Sequence, residues 1–166
     1  MMPTSKTLLI VINLLVLALC IAVLAYIVPR LLTPHITQAA VALEMRPGCD
    51  LATTTCVADD PKHHPNIAVD MNIEAPMLVS MAPLTFFVTL KGVDADRVTL
   101  SLDGKDMFMG VNSMEMTPVE GKENLWRAKT DLGVCVERTM TWFAKVTTYS
   151  DETETLVATF SFEASH

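Results

Sequence analysis

An uninterrupted apolar run near the N-terminus constrains this chain more than any other feature. Residues 7–28 read TLLIVINLLVLALCIAVLAYIV, which is 22 residues without a charged side chain. As an α-helix the run would be about 33 Å long, enough to cross the roughly 30 Å hydrocarbon core of a membrane. Aliphatic side chains on every face leave no polar stripe for water. The run therefore predicts a single transmembrane helix, preceded by a short N-terminal tail at residues 1–6.

A cleaved signal peptide is the alternative to an anchor. Signal peptides have apolar cores of about 7–15 residues, followed closely by a cleavage site of small residues. Here the core is longer, and the nearest A-x-A tripeptide, Ala40-Val41-Ala42, lies a dozen residues beyond it. We therefore expect an uncleaved signal anchor in the inner (cytoplasmic) membrane. The C-terminal part is then expected on the periplasmic or extracellular side.

The part of the chain that follows the apolar run is acidic. Beyond residue 36 there are ten Lys or Arg and nineteen Asp or Glu. This balance argues against a nucleic-acid partner, because such binding depends on Lys and Arg that neutralise phosphates. Residues 29–65 contain five prolines and no clear periodicity, so they are predicted to form a linker.

From residue 66 onward, apolar and polar residues alternate with period two, which predicts strands. No helical segment separates them, so residues 66–166 are predicted to form a mainly β domain, a seven-stranded antiparallel immunoglobulin-like sandwich. The Asp103-Gly104 pair predicts a hairpin turn. In the sixth strand, Trp142 is expected at the centre of a core face that includes Met140 and Val146. The seven predicted strands are 67–74, 84–91, 97–103, 106–111, 125–131, 138–149 and 154–163.

Three cysteines lie outside the apolar run. Cys49 and Cys56 are close in sequence but do not form a C-x-x-C motif, so a thioredoxin-type redox site is not supported. In an oxidising compartment the two are predicted to form a local disulfide. The alternative is that both thiols bind a metal together with His63 or His64. Cys135 is left over, and it is either buried or used as a functional thiol.

Methionine is dense between residues 107 and 116, in the sequence MFMGVNSMEM. Thioethers are soft ligands that select Cu(I) over Zn, Mg or Ca. The alternative is that these residues fill the core, since Met is an adaptable packing residue. The predicted metal ligands are Met109, Met114 and Cys135, with Met107, Met116 and Met140 in reserve.

The stretch from residue 102 to 146 resembles the FixH/YtkA-like group of small, membrane-anchored or secreted immunoglobulin-like domains. The resemblance covers roughly residues 66–150 and the N-terminal anchor, and it implies an association with copper delivery or respiratory oxidase assembly. This chain departs from the group's pattern by its cysteines and by the absence of a His-rich tail with Met repeats. The matching residues are Met107, Met109-Gly110, Trp126-Arg127-Ala128, Leu132 and Met140-Thr141-Trp142.

Two functions remain open at this point. The first is an exported accessory protein that binds Cu(I) and serves a respiratory oxidase or a copper-handling protein. The second is a metal-free interaction module, or an accessory subunit of a larger membrane complex. An enzyme is not expected, because the chain contains no G-x-S-x-G, H-E-x-x-H or phosphate-binding Gly-rich motif.

Overall fold

The computed structural model describes residues 5–32, 40–107, 110, 112–133, 138–151 and 154–165. The chain divides into two compact units, residues 1–38 and residues 39–166. The first unit contains one helix. The second is a β domain, which confirms the expectation of a mainly β fold.

Helix α1 spans Ser5–Leu32 and contains the whole apolar run. Leu and Ala, which are good helix formers, make up much of this segment. Side chains are described for Ile10 and for residues 12–26, and all of them are exposed. Among the described residues, no helix has the length and apolar character needed to cross a membrane.

The described part of the β domain contains ten strands. Alternate residues along the longer strands are buried, as the period-two pattern requires. The strands are β1 (Val41–Met45), β2 (Cys56–Asp60), β3 (His64–Glu74), β4 (Pro83–Lys91), β5 (Arg97–Gly104), β6 (Ser113–Glu115), β7 (Thr117–Pro118), β8 (Leu125–Asp131), β9 (Thr139–Tyr149) and β10 (Leu156–Ser165).

All ten strands belong to one sheet, in the order β6-β5-β9-β10-β1-β2-β3-β4-β8-β7. Neighbouring strands are antiparallel except β1 and β10, which are parallel. The two edge strands, β6 and β7, are separated in sequence only by Met116. The chain thus passes directly from one edge of the sheet to the other, and the sheet is nearly closed into a barrel.

The core lies inside this barrel. The predicted inward face of β9 is confirmed, because Met140, Trp142, Ala144 and Val146 are all buried. Phe86 and Phe162 meet edge to face across the interior, with ring centroids 5.9 Å apart. Each large apolar side chain buried in this way contributes about 1.5–3 kcal/mol, and together they hold the strands in register.

The predicted number of strands is wrong. Six of the seven predicted strands correspond to β3, β4, β5, β8, β9 and β10. The predicted strand at 106–111 does not form in its described residues, and β6 begins only at Ser113. The predicted hairpin turn at Asp103-Gly104 is also wrong, because both residues continue β5 and pair with Phe143 and Trp142 of β9. Tertiary pairing here overrides the local turn propensity.

The predicted linker at 29–65 differs from the structure from residue 41 onward. Residues 41–45 and 56–60 form β1 and β2, which lie inside the sheet. Strand β1 pairs with β2 on one side and on the other with β10, the last strand of the chain, which is more than a hundred residues away. Local sequence patterns carry no signal of such a contact, which explains why this strand was not predicted.

Candidate functional site

The connections between strands lie at two ends of the β domain. Following the strand directions around the sheet, β3, β5, β8 and β10 finish at the end where β4 and β9 begin. Met77 and Met81 lie on the connection after β3, and Met107 lies on the connection after β5. We call this the methionine end. The other, where β4 and β9 finish, is the opposite end.

The four predicted metal ligands that the structure describes occupy very different environments. Met107 is 41% exposed, whereas Met116 and Met140 are 1% and 6% exposed. Met114 is partly buried against the core. Met109 and Cys135 lie outside the described residues. Of the described candidates, the structure thus brings Met107 and Met140 to the methionine end, and only Met107 is open to solvent.

Met114 and Met116 help to close the barrel. Met114 pairs with Leu100 across β6 and β5. The backbone N–H of Met116 donates to the carbonyl oxygen of Val98 at 2.8 Å, at the point where the chain passes from β6 to β7. The buried side chain of Met116 packs in the core, which is the adaptable filling role that Met commonly has.

The predicted disulfide between Cys49 and Cys56 is confirmed, with Cα atoms 5.7 Å apart. Cys56 is fully buried at the start of β2, and Leu51 inside the loop is buried beside the core. Asp50 orders the loop, because its carboxylate accepts the backbone N–H of Ala52 at 2.9 Å. Since both thiols are consumed in the bridge, the alternative of a Cys49/Cys56 metal site is wrong.

Two exposed methionines were not among the predicted site residues. Met77 is 63% exposed and Met81 is 70% exposed. Within the described β domain, the large hydrophobic side chains that are exposed are these two, Met107 and Tyr149. Tyr149 has a partner, because the guanidinium of Arg97 lies 4.0 Å from its ring centroid. The exposed large aliphatic side chains in the described β domain are therefore all methionines.

The sequence held a signal for this pair. The segment PMLVSMAP carries two methionines between two prolines and lacks the alternation of a strand. Proline limits strand pairing, so the segment was open to interpretation as a loop. The density of methionine predicts a site at residues 107–116 instead, because a buried methionine and an exposed one cannot be distinguished in the sequence.

The opposite end carries polar and charged groups. His63 Nδ1 lies 2.7 Å from a carboxylate oxygen of Asp60, and this hydrogen bond lowers the pKa of Asp60. Away from this end, Arg46, the residue that follows β1, donates from Nε to Asp59 of β2 at 3.1 Å and lowers the pKa of that carboxyl group. Within the described residues, no group of three His, Cys, Asp or Glu side chains could hold a metal ion. A metal site at this end would therefore need ligands beyond these.

No protein-family model, curated protein or solved structure matches this chain. The resemblance to the FixH/YtkA-like group thus stays a prediction.

Proposed function

We propose that this chain is a single-pass, membrane-anchored accessory protein whose β domain lies on the oxidising side of the membrane and binds Cu(I). The Cys49–Cys56 disulfide supports the oxidising side. Disulfides persist in the periplasm and outside the cell, and they are rare in the cytosol. A copper-handling protein or a respiratory oxidase is the proposed partner.

The apolar run supports the anchor. Ile10 and residues 12–26 are exposed along α1, and they belong to a run of 22 uncharged residues that extends beyond them on both sides. An exposed aliphatic surface on every face of a helix is unfavourable in water and favourable in lipid. Residues 1–6 would then remain on the cytoplasmic side.

The start of the sheet supports retention of this anchor over cleavage as a signal peptide. Val41 is buried, and its backbone N–H donates to the carbonyl oxygen of Thr155 at 2.9 Å. Signal cleavage after Ala42 would remove Val41 and half of the β1–β10 pairing. An uncleaved chain keeps the barrel intact.

The exposure pattern of the β domain carries the copper proposal. In the described β domain the exposed large aliphatic side chains are all thioethers, and all lie at the methionine end. Thioethers bind Cu(I) in preference to harder ions. They also survive oxidising conditions in which free thiols are lost to disulfides. Met107 is the predicted ligand with this exposure, and Met109, Met114 and Cys135 complete the proposed set.

We also propose that the strands of this barrel are connected as in an immunoglobulin-like sandwich. Two groups of strands, β5-β9-β10 and β3-β4-β8, would form the facing sheets, and the short strands β6 and β7 would pass between them. The parallel pairing of β1 with β10 supports this assignment, because a short first strand beside the last one is compatible with such a sandwich.

A competition titration tests copper binding. The full chain in detergent would compete for Cu(I) with a chromogenic chelator, with ascorbate as a reductant that adds no thiol. We expect wild type to take up at least one Cu(I), and the double variant Met109→Leu/Met114→Leu to bind about tenfold more weakly or worse. Met116→Leu is the matched control, because this buried thioether should leave affinity unchanged.

The second candidate is a metal-free interaction module, favoured by the core packing of Met116 and Met140. A wild-type chain that fails to compete for Cu(I) would favour this module. Unchanged affinity in the Met109/Met114 variant would instead show that these two residues are not ligands. In neither proposal is the chain an enzyme.

Membrane extraction tests the anchor separately. We expect the chain to stay in the membrane fraction after carbonate treatment, with a mature N-terminus at Met1 or Met2. A mature N-terminus near Val41 would show cleavage and would contradict the anchor.

A further inference from the structure

The connection between β3 and β4 reverses direction at Met81. The backbone N–H of Ala82 donates to the carbonyl oxygen of Val79 at 3.3 Å, which closes a four-residue turn. Met81, the third residue of the turn, has φ 63°, whereas Ser80 before it does not have a positive φ. This is the backbone pattern of a type II turn, whose third residue is normally Gly or Asn.

Methionine is an unfavourable residue at this position. A side chain at positive φ places Cβ close to backbone oxygen, which strains the chain. Packing could offset the strain if the side chain were buried, but that of Met81 is 70% exposed. The other described residues with positive φ are four glycines and Asn124. Backbone strain that is held in place by the surrounding structure clusters at functional positions.

The strained turn is held firmly in place. Leu78 accepts the backbone N–H of Ser165 at 3.0 Å, and the N–H of Ser80 donates back to Ser165 at 2.9 Å. The N–H of Met81 donates to the carbonyl oxygen of Leu132 at 3.1 Å. The turn is thus fastened to the end of β10 and to the residue that follows β8. Such backbone support is what a preorganised binding site requires.

The choice of side chain points to sulfur rather than to general apolar contact. A surface that only docks an apolar partner can use Leu, Ile, Phe or Val as readily as Met. In the described β domain, each of those residue types is at least partly buried, and the exposed large aliphatic side chains are Met77, Met81 and Met107. The property that distinguishes Met among them is its soft thioether, which selects Cu(I).

We propose that Met77 and Met81 are the thioether ligands of a Cu(I) site on the surface of the methionine end. This inference rests on the proposed copper function but concerns a site separate from Met109, Met114 and Cys135. Both side chains extend into solvent from one short, anchored connection. Each has three rotatable bonds, so the two sulfurs can converge on one ion. Because thioethers carry no proton, binding should not weaken at mildly acidic pH, unlike binding by His or Cys.

The titration described above, with full chain in detergent and ascorbate, tests the pair directly. The double variant Met77→Leu/Met81→Leu keeps size and apolar character but removes both sulfurs. We expect it to lose one equivalent of bound Cu(I), while Met109→Leu/Met114→Leu retains that equivalent. We also expect the equivalent held by the pair to be the same at about pH 5 and about pH 7.5.

The possible results separate this inference from the proposed function. Loss of one equivalent in the Met77/Met81 variant supports the pair. Full stoichiometry and affinity in that variant would overturn the pair while leaving the proposed function standing. A wild-type chain that binds no Cu(I) would overturn both.

A second measurement uses the wild-type chain and so does not depend on folding of a variant. Ag(I), a redox-inert substitute for Cu(I), should slow the oxidation of Met77 and Met81 by hydrogen peroxide by about tenfold, as followed by mass spectrometry. Protection of Met107 without protection of Met77 and Met81 would contradict the inference.

The variant Met81→Gly tests whether the strained backbone at Met81 is linked to Cu(I) binding. Glycine relieves the positive φ, so we expect the melting temperature to rise by about 2–5 °C while the Cu(I) equivalent of the pair is lost. A merely structural role for Met81 would make stability fall in this variant. A lower melting temperature would therefore overturn the argument from strain.

Discussion

The two ends of the β domain differ in the residue types that adopt positive φ angles. At the opposite end, positive φ angles of 70°, 71° and 55° occur at Gly92, Gly121 and Asn124. These are the residue types that tolerate such angles best. At the methionine end, Met81 adopts a φ of 63° while its side chain stays in solvent. The connections after β1 and β5, at the same end, place Gly48 and Gly110 at positive φ, so Met81 is the one described departure from this rule.

This difference separates structural requirements from functional ones. Polar groups at the opposite end stabilise the turn that contains them, since Asp60 Oδ1 accepts the backbone N–H of Lys62 at 3.2 Å. The thioethers of Met77, Met81 and Met107 at the methionine end are exposed to solvent. Folding accounts for the first set. We propose that binding of a soft metal ion accounts for the second.

The largest effect is expected where glycine is needed for space as well as for φ. A Cβ at Gly92 would lie 1.9 Å from the backbone oxygen of Asn66, so this part of β3 would have to shift. At Gly121 a Cβ would meet nothing within 4 Å, although φ is nearly the same. We expect Gly92→Ala to lower the free energy of unfolding by about 3 kcal/mol or more, and Gly121→Ala by about 1 kcal/mol.

Denaturant unfolding of the full chain in detergent measures both variants. Equal losses would show that backbone angle alone decides the cost at this end. Gly92 would then be no more necessary for stability than Gly121.

The disulfide gives the next largest effect, at the methionine end. Its loop is short, so replacing Cys49 and Cys56 by Ala should reduce stability by about 2–3 kcal/mol on the chain-entropy account. The control is Cys20→Ala, which removes a free cysteine from α1 and should not affect unfolding of the β domain. Stability equal to that of the control would show that the loop needs no covalent link.

The smallest effect concerns pH at the opposite end. The hydrogen bond with His63 lowers the pKa of Asp60 in the folded state, so its stabilisation is present above the unfolded pKa of about 3.9 and is lost as pH falls below it. Asp60→Asn should therefore flatten the decline of stability between about pH 4 and lower values. Identical pH profiles for variant and wild type would contradict a contribution from this contact.

Much of the fold could be predicted from sequence where strands are long. Alternation over eight or more residues identified β3, β4, β5, β9 and β10, and it placed Trp142 on the buried face. Short strands could not be found in this way. β6 and β7 have three and two residues, too few for any periodicity, and they are defined by their pairing with β5 and β8.

The site was harder to predict than the fold. The short spacing between Cys49 and Cys56 in the sequence predicts the disulfide correctly, because two residues so close in the chain can readily pair. Methionine density, in contrast, does not distinguish Met116 in the core from Met81 in solvent. That distinction depends on a turn and on contacts with β10 and Leu132, which are far away in sequence. Exposure is a tertiary property, and a local pattern reveals it only within a strand.

X-ray absorption spectroscopy of the Cu(I)-loaded full chain tests the central claim most directly, because it identifies the atoms bound to the metal. The account predicts that copper remains with the protein after gel filtration and has sulfur neighbours only, as the thioethers of the methionine end would supply. If the atoms bound to copper were nitrogen or oxygen, the metal would instead lie at groups such as His63 and Asp60, at the opposite end. That result, or a protein that retains no copper, would contradict the account.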